Sequence, residues 1–338
     1  MPTYAYIHDI AYYLPEKVLD NAALSQEFPE WSVQKISSKT GIDRRHIAAP
    51  DEFASDMAVQ AAERLFERYD RQKIDYVLLC TQSPDYFLPT TACIVQERLG
   101  LRTDIGALDF NLGCSGYVYG LGLAKSLIET GQASNVLLLT SEAYSKFIHP
   151  ADKSVRTIFG DAASATVICG TEAESPFLSD FRYGSDGSGY KNLIVPNGGL
   201  RGQASADEKF SPQKRNLSSN GYDLFMDGPE IFNFTLRVVP ETISKVLNST
   251  AKNLEDIDLF VFHQANRYMM EHLRNKLGIP SEKFAVYLEE CGNTVSSTIP
   301  ITLHHAKETG QLQNDMNLML VGFGVGLSWG GCMVRWRS

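Results

Sequence analysis

Two kinds of hydrophobic spacing alternate along the chain and predict its secondary structure. Apolar residues that recur every three or four positions predict helices at residues 54–69, 115–130, 228–249, 266–277 and 295–309. Short apolar runs that end in polar loops predict strands at residues 76–81, 136–140, 165–169, 259–263 and 317–321. Because strands alternate with helices, the pattern indicates an α/β fold with mainly parallel, largely buried sheets.

Residues 184–222 interrupt this alternation. The segment opens with Gly-Ser-Asp-Gly-Ser-Gly and continues as a polar stretch with little periodicity. Such a composition predicts a long surface loop or insertion.

A stretch at residues 99–132 recurs at residues 277–311. Both copies begin with Leu-Gly and an aliphatic residue, and both end in Glu-Thr-Gly-Gln. Aligning the two copies places Cys114 opposite Asn293. The sequence therefore indicates a duplicated βα architecture.

The strand-like run at residues 74–80 has a similar counterpart at residues 257–263, which ends in a histidine. We expect two related halves, 1–170 and 171–338, with the predicted insertion in the second. A pseudo-twofold axis between them would bring the loops of the cysteine and the asparagine together, with His263 nearby.

Cys114 is the candidate nucleophile. It lies between a strand-like stretch and an apolar helical one, in Asn-Leu-Gly-Cys-Ser-Gly-Tyr. A thiol at a helix N-terminus is expected to favour the thiolate, because unpaired N–H groups and the helix dipole stabilise negative charge. Taken singly, a buried cysteine, a core histidine at 263 and a turn asparagine at 293 would each be ordinary; their convergence points to catalysis.

Motifs along the whole chain occur in one order. They are Lys-Thr-Gly-Ile (39–42), Arg-His-Ile-Ala-Ala-Pro (45–50), Pro-Thr-Thr-Ala-Cys (89–93), the cysteine loop (111–117), Phe-Gly-Asp-Ala-Ala (159–163), Met-Asp-Gly-Pro-Glu-Ile-Phe (226–232), His-Gln-Ala-Asn (263–266), Gly-Asn-Thr (292–294) and Gly-Phe-Gly-Val-Gly-Leu-Ser-Trp-Gly (322–330). The set resembles the β-ketoacyl-acyl-carrier-protein synthase III family of thiolase-fold condensing enzymes, more closely than it resembles plant-type polyketide synthases. The resemblance implies an α/β, thiolase-like fold with a duplicated αβαβα five-layer architecture.

The resemblance also implies an acyltransferase mechanism. Cys114 accepts an acyl group from a thioester, and a decarboxylative Claisen condensation with malonyl-acyl-carrier protein gives a 3-oxoacyl product. His263 and Asn293 would each donate a hydrogen bond to the malonyl thioester oxygen. Backbone N–H groups of Cys114 and Val325 would form the oxyanion hole, and Phe323 would pack beside the reacting carboxylate.

Several substrate positions depart from the family pattern. Lys35 stands where a tryptophan commonly stacks on the coenzyme A adenine, and Lys39 and Lys153 stand at coenzyme-contacting arginine positions. Trp31 would take the place of that tryptophan if the local helix differs. These departures leave two acyl donors open, coenzyme A held in another way or an acyl carrier protein. Leu88 replaces the phenylalanine that often closes the acyl pocket across the dimer, which favours a somewhat longer or branched primer. The other substrate-binding positions are Met226, Asn266 and Gly324.

The resemblance implies two protein partners, a second copy of the chain in a homodimer and an acyl carrier protein. Arg267, Arg274 and Lys276 lie on a predicted helix after the histidine loop, where a basic patch would attract an acidic carrier protein. An ordinary solvated helix face is the alternative interpretation.

Composition limits the other possibilities. The 338 residues carry 31 basic and 40 acidic side chains, a net charge of −9, which argues against nucleic acid or an anionic membrane as the main partner. We expect no membrane span, no signal peptide, no metal cluster and no cofactor beyond the thioester substrates. Six cysteines without a paired or metal-ligand spacing fit a reducing cytoplasm.

Two alternative functions stay open at this point. The same acyl-cysteine intermediate could pass its acyl group to an alcohol or an amine, which would make an ester or an amide. The chain could also be a non-catalytic subunit that shapes the tunnel of a partner. Retention of Cys114, His263 and Asn293 argues against a silent subunit, which would not need them.

Overall fold

The computed structural model describes residues 1–200, 221–250 and 252–337. In these ranges the strands are β1 (Thr3–Tyr13), β2 (Lys17–Asp20), β3 (Arg44–Ile47), β4 (Tyr76–Cys80), β5 (Gly106–Phe110), β6 (Asn135–Glu142), β7 (Ala162–Glu172), β8 (Leu178–Ser185), β9 (Leu193–Ile194), β10 (Phe225–Met226), β11 (Leu259–Phe262), β12 (Asn317–Gly324) and β13 (Ser328–Arg335). The α-helices are α1 (Asn21–Glu27), α2 (Val33–Thr40), α3 (Ala54–Phe66), α4 (Thr91–Arg98), α5 (Gly116–Glu129), α6 (Lys153–Arg156), α7 (Gly228–Thr250), α8 (Arg267–Leu277) and α9 (Thr298–Glu308).

Two mixed sheets form the framework of the fold. The five-stranded sheet has the order β1-β7-β6-β4-β5, and the four-stranded sheet has the order β11-β12-β13-β8. The central strands β4, β6 and β12 are almost wholly buried, as expected for strands covered on both faces. Two small sheets, β2 with β3 and β9 with β10, lie outside this framework.

Helices cover both sheets and separate them. Helix α5 contacts strands of both sheets, and α9 contacts β1 and β7 of one sheet and β11 of the other. Helices α3 and α4 pack on the five-stranded sheet, and α7 packs on β8, β12 and β13 of the four-stranded sheet. The resulting order is helix, sheet, helix, sheet, helix, which confirms the predicted five-layer αβαβα architecture.

Every helix and strand predicted from hydrophobic spacing has an observed counterpart, with ends shifted by a few residues. The predicted helix at 295–309 begins as a 3-10 turn, Val295–Ser297, and continues as α9. Strand β1 was not predicted; it pairs with β7 over nearly its whole length. Of the predicted insertion at 184–222, the described part contains the end of β8, a 3-10 helix at Gly187–Asn192 and β9, whereas residues 201–220 lie outside the described residues.

The prediction of mainly parallel sheets was wrong. Parallel pairs are β4 with β5 and β6, and β11 with β12, but β7 runs antiparallel to both β1 and β6. A three-residue turn at 325–327 joins β12 to β13, and so short a connection can join only antiparallel strands. A helix between two strands indicates a parallel pair, so the alternation along the sequence predicted the parallel pairs. It gave no indication of the antiparallel pairs.

Candidate active site

Cys114 lies in the loop between β5 and α5, two residues before the helix begins. Its side chain is 6% exposed. The adjoining strand β12 approaches the thiol so closely that a Cβ added at Gly324 would lie 2.8 Å from Cys114 Cβ and 2.9 Å from its Sγ. A glycine at 324 is therefore required by contact with the cysteine, because any side chain would displace the thiol.

The sequence predicts a thiolate at Cys114, but the buried surroundings of this residue favour the neutral thiol. Burial raises the pKa of the Cys114 thiol, and the nearby Glu142 carboxyl raises it further. Desolvation penalises the charged form of a buried thiol, which here opposes the effect of the following helix. Burial therefore favours the protonated thiol as the resting form of Cys114.

Glu142 was not anticipated from the sequence, although it ends an apolar strand. Gln82 donates its backbone N–H to Oε2 over 3.0 Å, and the Ser296 hydroxyl donates to Oε1 over 2.9 Å. Burial raises the pKa of Glu142 to about 8 in spite of these bonds. A largely protonated carboxyl therefore lies behind the cysteine at neutral pH.

His263 follows β11, and its backbone N–H donates to the Val321 carbonyl over 2.8 Å. Its Nδ1 lies 2.8 Å from Thr298 Oγ1, and its Nε2 lies 3.5 Å from Asn293 Nδ2. Burial lowers the pKa of His263 to about 3, so the imidazole is neutral at physiological pH.

Asn293 is held at both its backbone and its side chain. Its backbone N–H donates to the Ile158 carbonyl over 2.9 Å, and its carbonyl accepts from Gly160 over 3.1 Å. Its Oδ1 accepts the Val295 N–H over 2.9 Å. Because the oxygen is engaged in this way, the NH₂ group of Asn293 is the part that faces His263.

One cavity of about 460 Å³ brings the three candidates together. Met226, Asn266, Phe323 and Gly324, which the sequence assigned to substrate or decarboxylation, also line it. Phe323 packs edge-on against His263, with ring centroids 5.4 Å apart. Wall residues to which the sequence analysis assigned no individual role are Ser154, Ile158, Phe159, Leu193, Gly228, Pro229, Ile231, Ala265 and Met269.

Val325 and Asn266 occupy defined positions beside this cavity. Val325 follows β12, and its Cγ1 would lie 2.7 Å from a Cβ at Gly113, so the glycine-rich turn touches the cysteine loop. Asn266 precedes α8 and uses its side-chain oxygen to accept the Met269 N–H over 2.9 Å. This cap fixes the start of α8 at the cavity wall.

Three predicted coenzyme-contacting lysines meet around Trp31. The Nζ atoms of Lys35 and Lys39 lie 5.3 Å from the Trp31 ring centroid, and that of Lys153 lies 5.9 Å from it. Lys153 also pairs with Glu30. Ser32 caps α2 by accepting the Lys35 N–H, which leaves Trp31 immediately before the helix. Lys153 precedes Ser154 of the cavity wall, so this basic cluster adjoins the cavity.

The predicted docking side chains are each engaged with a neighbour. Arg267 pairs with Glu289 at 3.2 Å, and Arg274 pairs with Glu271 at 2.8 Å. Lys276 donates to the Leu236 carbonyl over 2.9 Å. Local acceptors therefore partly neutralise the two arginines, a feature that the spacing along α8 did not indicate.

Leu88 lies away from the cavity of its own chain. It is 82% exposed, beside the similarly exposed Tyr86 and Phe87. Within the described residues, no group of three or more metal-ligating side chains occurs. Over the same part of the chain, no helix is both long and apolar enough to cross a membrane.

Known proteins resemble the chain over nearly its whole length. The family described as 3-oxoacyl-[acyl-carrier-protein] synthase III matches residues 108–187, and its C-terminal counterpart matches residues 247–336. The β-ketoacyl-[acyl-carrier-protein] synthase III of Clostridium perfringens is 38% identical over 327 residues, 96% of each chain. That of Clostridioides difficile is 37% identical over 338 residues, 99% of each chain.

Solved structures agree with these sequence matches. A crystal structure of 3-oxoacyl-(acyl-carrier-protein) synthase III is 50% identical, with a TM-score of 0.94 over 98% of this chain and 100% of that one. The synthase III from Pseudomonas aeruginosa PAO1 is 33% identical, with a TM-score of 0.87 over 99% of each chain. The fold is therefore that of a thiolase-fold condensing enzyme. The chain belongs to the 3-oxoacyl-[acyl-carrier-protein] synthase III family and is an acyltransferase of that type.

Proposed function

We propose that this enzyme transfers an acyl group from a thioester to Cys114 and condenses it with malonyl-acyl-carrier protein. The observation that carries the proposal is the single cavity shared by Cys114, His263 and Asn293. In the second step the malonyl unit loses carbon dioxide, and the resulting enolate attacks the acyl carbon on Sγ. The bond between Sγ and the acyl carbon breaks, a 3-oxoacyl-carrier protein leaves, and the released Cys114 thiolate takes a proton from solvent.

The remaining parts of the cavity have definite roles in this scheme. The Asn293 amide donates to the malonyl thioester oxygen and stabilises the enolate. Backbone N–H groups of Cys114 and Val325 stabilise the oxyanion that forms on the acyl carbon. Phe323, which packs against His263, places an apolar surface beside the malonyl carboxylate and favours its loss as neutral carbon dioxide. No cofactor takes part in these steps, since both substrates arrive as thioesters.

The basic cluster around Trp31 is our candidate holder of the primer donor. A partly buried indole such as that of Trp31 can stack on a nucleotide base through its open part, and Lys35, Lys39 and Lys153 can attract phosphate groups. Coenzyme A held in this way would reach Cys114 past Ser154. The lysines lack the two-pronged geometry of arginine, so the phosphate contacts are electrostatic and sensitive to salt.

Two protein partners complete the proposal. An acyl carrier protein docks at α8, where Arg267, Arg274 and Lys276 supply positive charge beside the cavity. A second copy of the chain covers the exposed apolar segment that includes Leu88. The described cysteines are all unpaired, which agrees with a cytoplasmic location.

Mass spectrometry of the intact protein tests the proposal. The purified protein is incubated with a panel of acyl-coenzyme A and acyl-carrier thioesters, and malonyl-carrier protein is then added. We expect a single acyl adduct, absent from Cys114→Ser, followed by release of carbon dioxide and a 3-oxoacyl-carrier product. An adduct that reacts with alcohols or amines but never with malonyl thioester would instead indicate an ester- or amide-forming enzyme. The absence of any adduct across the panel would indicate a non-catalytic subunit.

A further inference from the structure

Two sequence motifs to which the proposed function gives no role lie side by side in the fold. One is Arg-His-Ile-Ala-Ala-Pro, which begins at Arg45, and the other is Phe-Gly-Asp-Ala-Ala, which includes Asp161. The Asp161 N–H donates to the His46 carbonyl over 2.8 Å, and Asp161 Oδ2 accepts the Ala48 N–H over 2.8 Å. The first motif therefore supports the second along its length.

Arg45 is wholly buried, and its guanidinium is charged. The residue is 0% exposed. Burial lowers the pKa of Arg45 to about 10, which leaves it protonated at neutral pH. Nε donates to the Thr157 carbonyl over 3.1 Å, and Nη2 donates to the same carbonyl and to that of Ile42, the latter over 3.2 Å. Nη1 donates to Asn21 Oδ1. Since a charged donor strengthens these bonds, the Thr157 carbonyl is firmly held.

The residues that follow Thr157 hold the backbone of Asn293. The Ile158 carbonyl accepts the Asn293 N–H over 2.9 Å, and the Gly160 N–H donates to the Asn293 carbonyl over 3.1 Å. These two bonds fix Asn293 on both sides of its Cα atom. Because Arg45 fixes the start of this segment, the position of Asn293 depends on the guanidinium.

The stem of the Arg45 side chain also lies against the loop that bears Asn293. A Cβ added at Gly292 would lie 3.2 Å from Arg45 Cγ. The backbone N–H groups of the two residues before Arg45 donate to the Glu289 carbonyl over 2.8 and 3.0 Å. Arg45 and its neighbours therefore support this loop directly, as well as through Thr157.

We propose that Arg45 is a positioning residue that holds Asn293 where its amide can donate to the malonyl thioester oxygen. The proposal rests on the role in decarboxylation that we propose for Asn293. Arg45 acts through the Thr157 carbonyl and through Gly292, without touching the substrate. The planar guanidinium suits this role, because it donates to several carbonyls in fixed directions, which the single ammonium of a lysine does not.

Acylation of Cys114 should depend much less on Arg45. The thiol lies just before α5 and in close contact with Gly324 of β12. The guanidinium instead donates to the start of α1, to the residues after α2 and to Thr157. Loss of Arg45 should therefore separate the two half-reactions, whereas a general loss of stability would affect both alike.

The two half-reactions are measured separately in each variant, as acylation of Cys114 by mass spectrometry and as carbon dioxide release from malonyl-carrier protein. We expect Arg45→Met to slow decarboxylation about 100-fold, the cost of displacing a reacting group by about 1 Å. Acylation should slow far less. Arg45→Lys keeps the charge and can reach one carbonyl, so it should recover part of the decarboxylation rate. The lysine variant also provides the comparison if Arg45→Met does not fold.

Arg335→Met is the matched control. Arg335 is a half-buried residue at the end of β13 that donates to the Ser175 carbonyl over 3.3 Å and packs on the Phe177 ring. Hydrogen–deuterium exchange adds a measurement that needs no substrate. Peptides that cover residues 157–161 and 289–295 should exchange faster in the Arg45 variants than in the control.

Three results would overturn the proposal. They are wild-type decarboxylation in the Arg45 variants, equal fold losses of decarboxylation and acylation, and exchange in the two segments that matches the Arg335→Met control. A wild-type protein that never releases carbon dioxide from malonyl-carrier protein would refute the proposed function instead. Exchange would then still decide whether Arg45 holds the loop of Asn293.

Discussion

The fixed orientation of the Asn293 amide gives the first prediction at the residue scale. Asn293→Ala removes the amide that we propose as a donor to the thioester oxygen but leaves Cys114 and His263 in place. We expect decarboxylation of malonyl-carrier protein to fall by about 10²–10³, the usual cost of losing one preorganised oxyanion donor. Acylation of Cys114, followed by mass spectrometry in the same variant, should change much less. A variant that condenses at the wild-type rate would remove Asn293 from the mechanism.

Glu142 gives a prediction about stability and pH. Its pKa in the folded protein is about 8, well above the value of an exposed glutamate, because burial penalises the carboxylate. The folded state therefore binds more protons than the unfolded state between these two values. This extra proton binding by Glu142 contributes to the free energy of unfolding. The contribution is complete below the unfolded pKa of Glu142 and is lost as pH rises through about 8.

Glu142→Gln should flatten this dependence, since the amide resembles the protonated carboxyl and cannot ionise. Between pH 5 and pH 9, we expect the wild type to lose about 2–4 kcal/mol of unfolding free energy relative to the variant. Urea unfolding at the two pH values measures the difference. Equal pH dependence of the two proteins would show that Glu142 ionises freely in the fold.

The residues that line the cavity and those that support them from behind divide into those that sequence could reveal and those that it could not. Cys114, His263 and Asn293 were found through a repeat, an apolar run and characteristic motifs. Thr298 and Glu142 gave no comparable signal, because a hydroxyl or carboxyl acquires its role from partners that are distant in sequence. The protonated state of Cys114 was missed for the same reason: a helix start is visible in sequence, but burial beside a carboxyl is not.

At the scale of elements, close contact between β12 and the cysteine loop gives a prediction for Gly324→Ala. The added Cβ would lie within 3 Å of the Cys114 side chain, so the strand or the loop must move. We expect Gly324→Ala to lower the free energy of unfolding by about 1–3 kcal/mol. The rate of Cys114 acylation should fall by a larger fraction than the free energy of unfolding does. Gly187→Ala is the control, because a Cβ there meets no atom within 4 Å. If the two variants had similar acylation rates, the close contact between position 324 and Cys114 would not limit acylation.

Elements with strong periodicity were predictable, and their arrangement was less so. Helix α5 and strands β4, β6 and β11 followed from uninterrupted apolar patterns. Strand β1 was missed because its polar and aromatic positions resemble no simple alternation. The antiparallel pairs of β7 and β13 depend on which strands become neighbours, and hydrophobic spacing along the chain contains no such information.

At the scale of the whole molecule, the exposed apolar surface suggests how two copies would meet. Strand β5 is the edge of the five-stranded sheet, and Leu108 on it is 44% exposed. An uncovered edge strand can pair with another chain. In chain order, the last strand of the five-stranded sheet is β7, which ends at Glu172. The proposed boundary between halves 1–170 and 171–338 therefore falls within β7, just before its end. The homodimer is implied by the sequence resemblance and stays a prediction, whereas this exposed edge is visible only in the fold.

Leu88 gives the prediction that tests this assembly. With Tyr86 and Phe87 it forms three consecutive large apolar side chains that are more than 60% exposed, an arrangement that is costly unless another surface covers it. In the proposed homodimer, this segment reaches the acyl tunnel of the neighbouring copy, and Leu88 sets the length of primer that fits. Leu88→Phe should then lower the rate of Cys114 acylation by medium-chain thioesters while sparing short ones, because the added ring fills a packed tunnel end.

The quantity to compare is the ratio of medium-chain to short-chain acylation rates in the wild type and the variant. Val18→Phe, which adds a ring at another exposed apolar position, should leave that ratio unchanged. Light scattering should show a dimer for all three proteins. A monomer, or an unchanged ratio in Leu88→Phe, would mean that the tunnel ends within one chain and that residues of the cavity wall such as Met226 and Ile231 set the primer length instead.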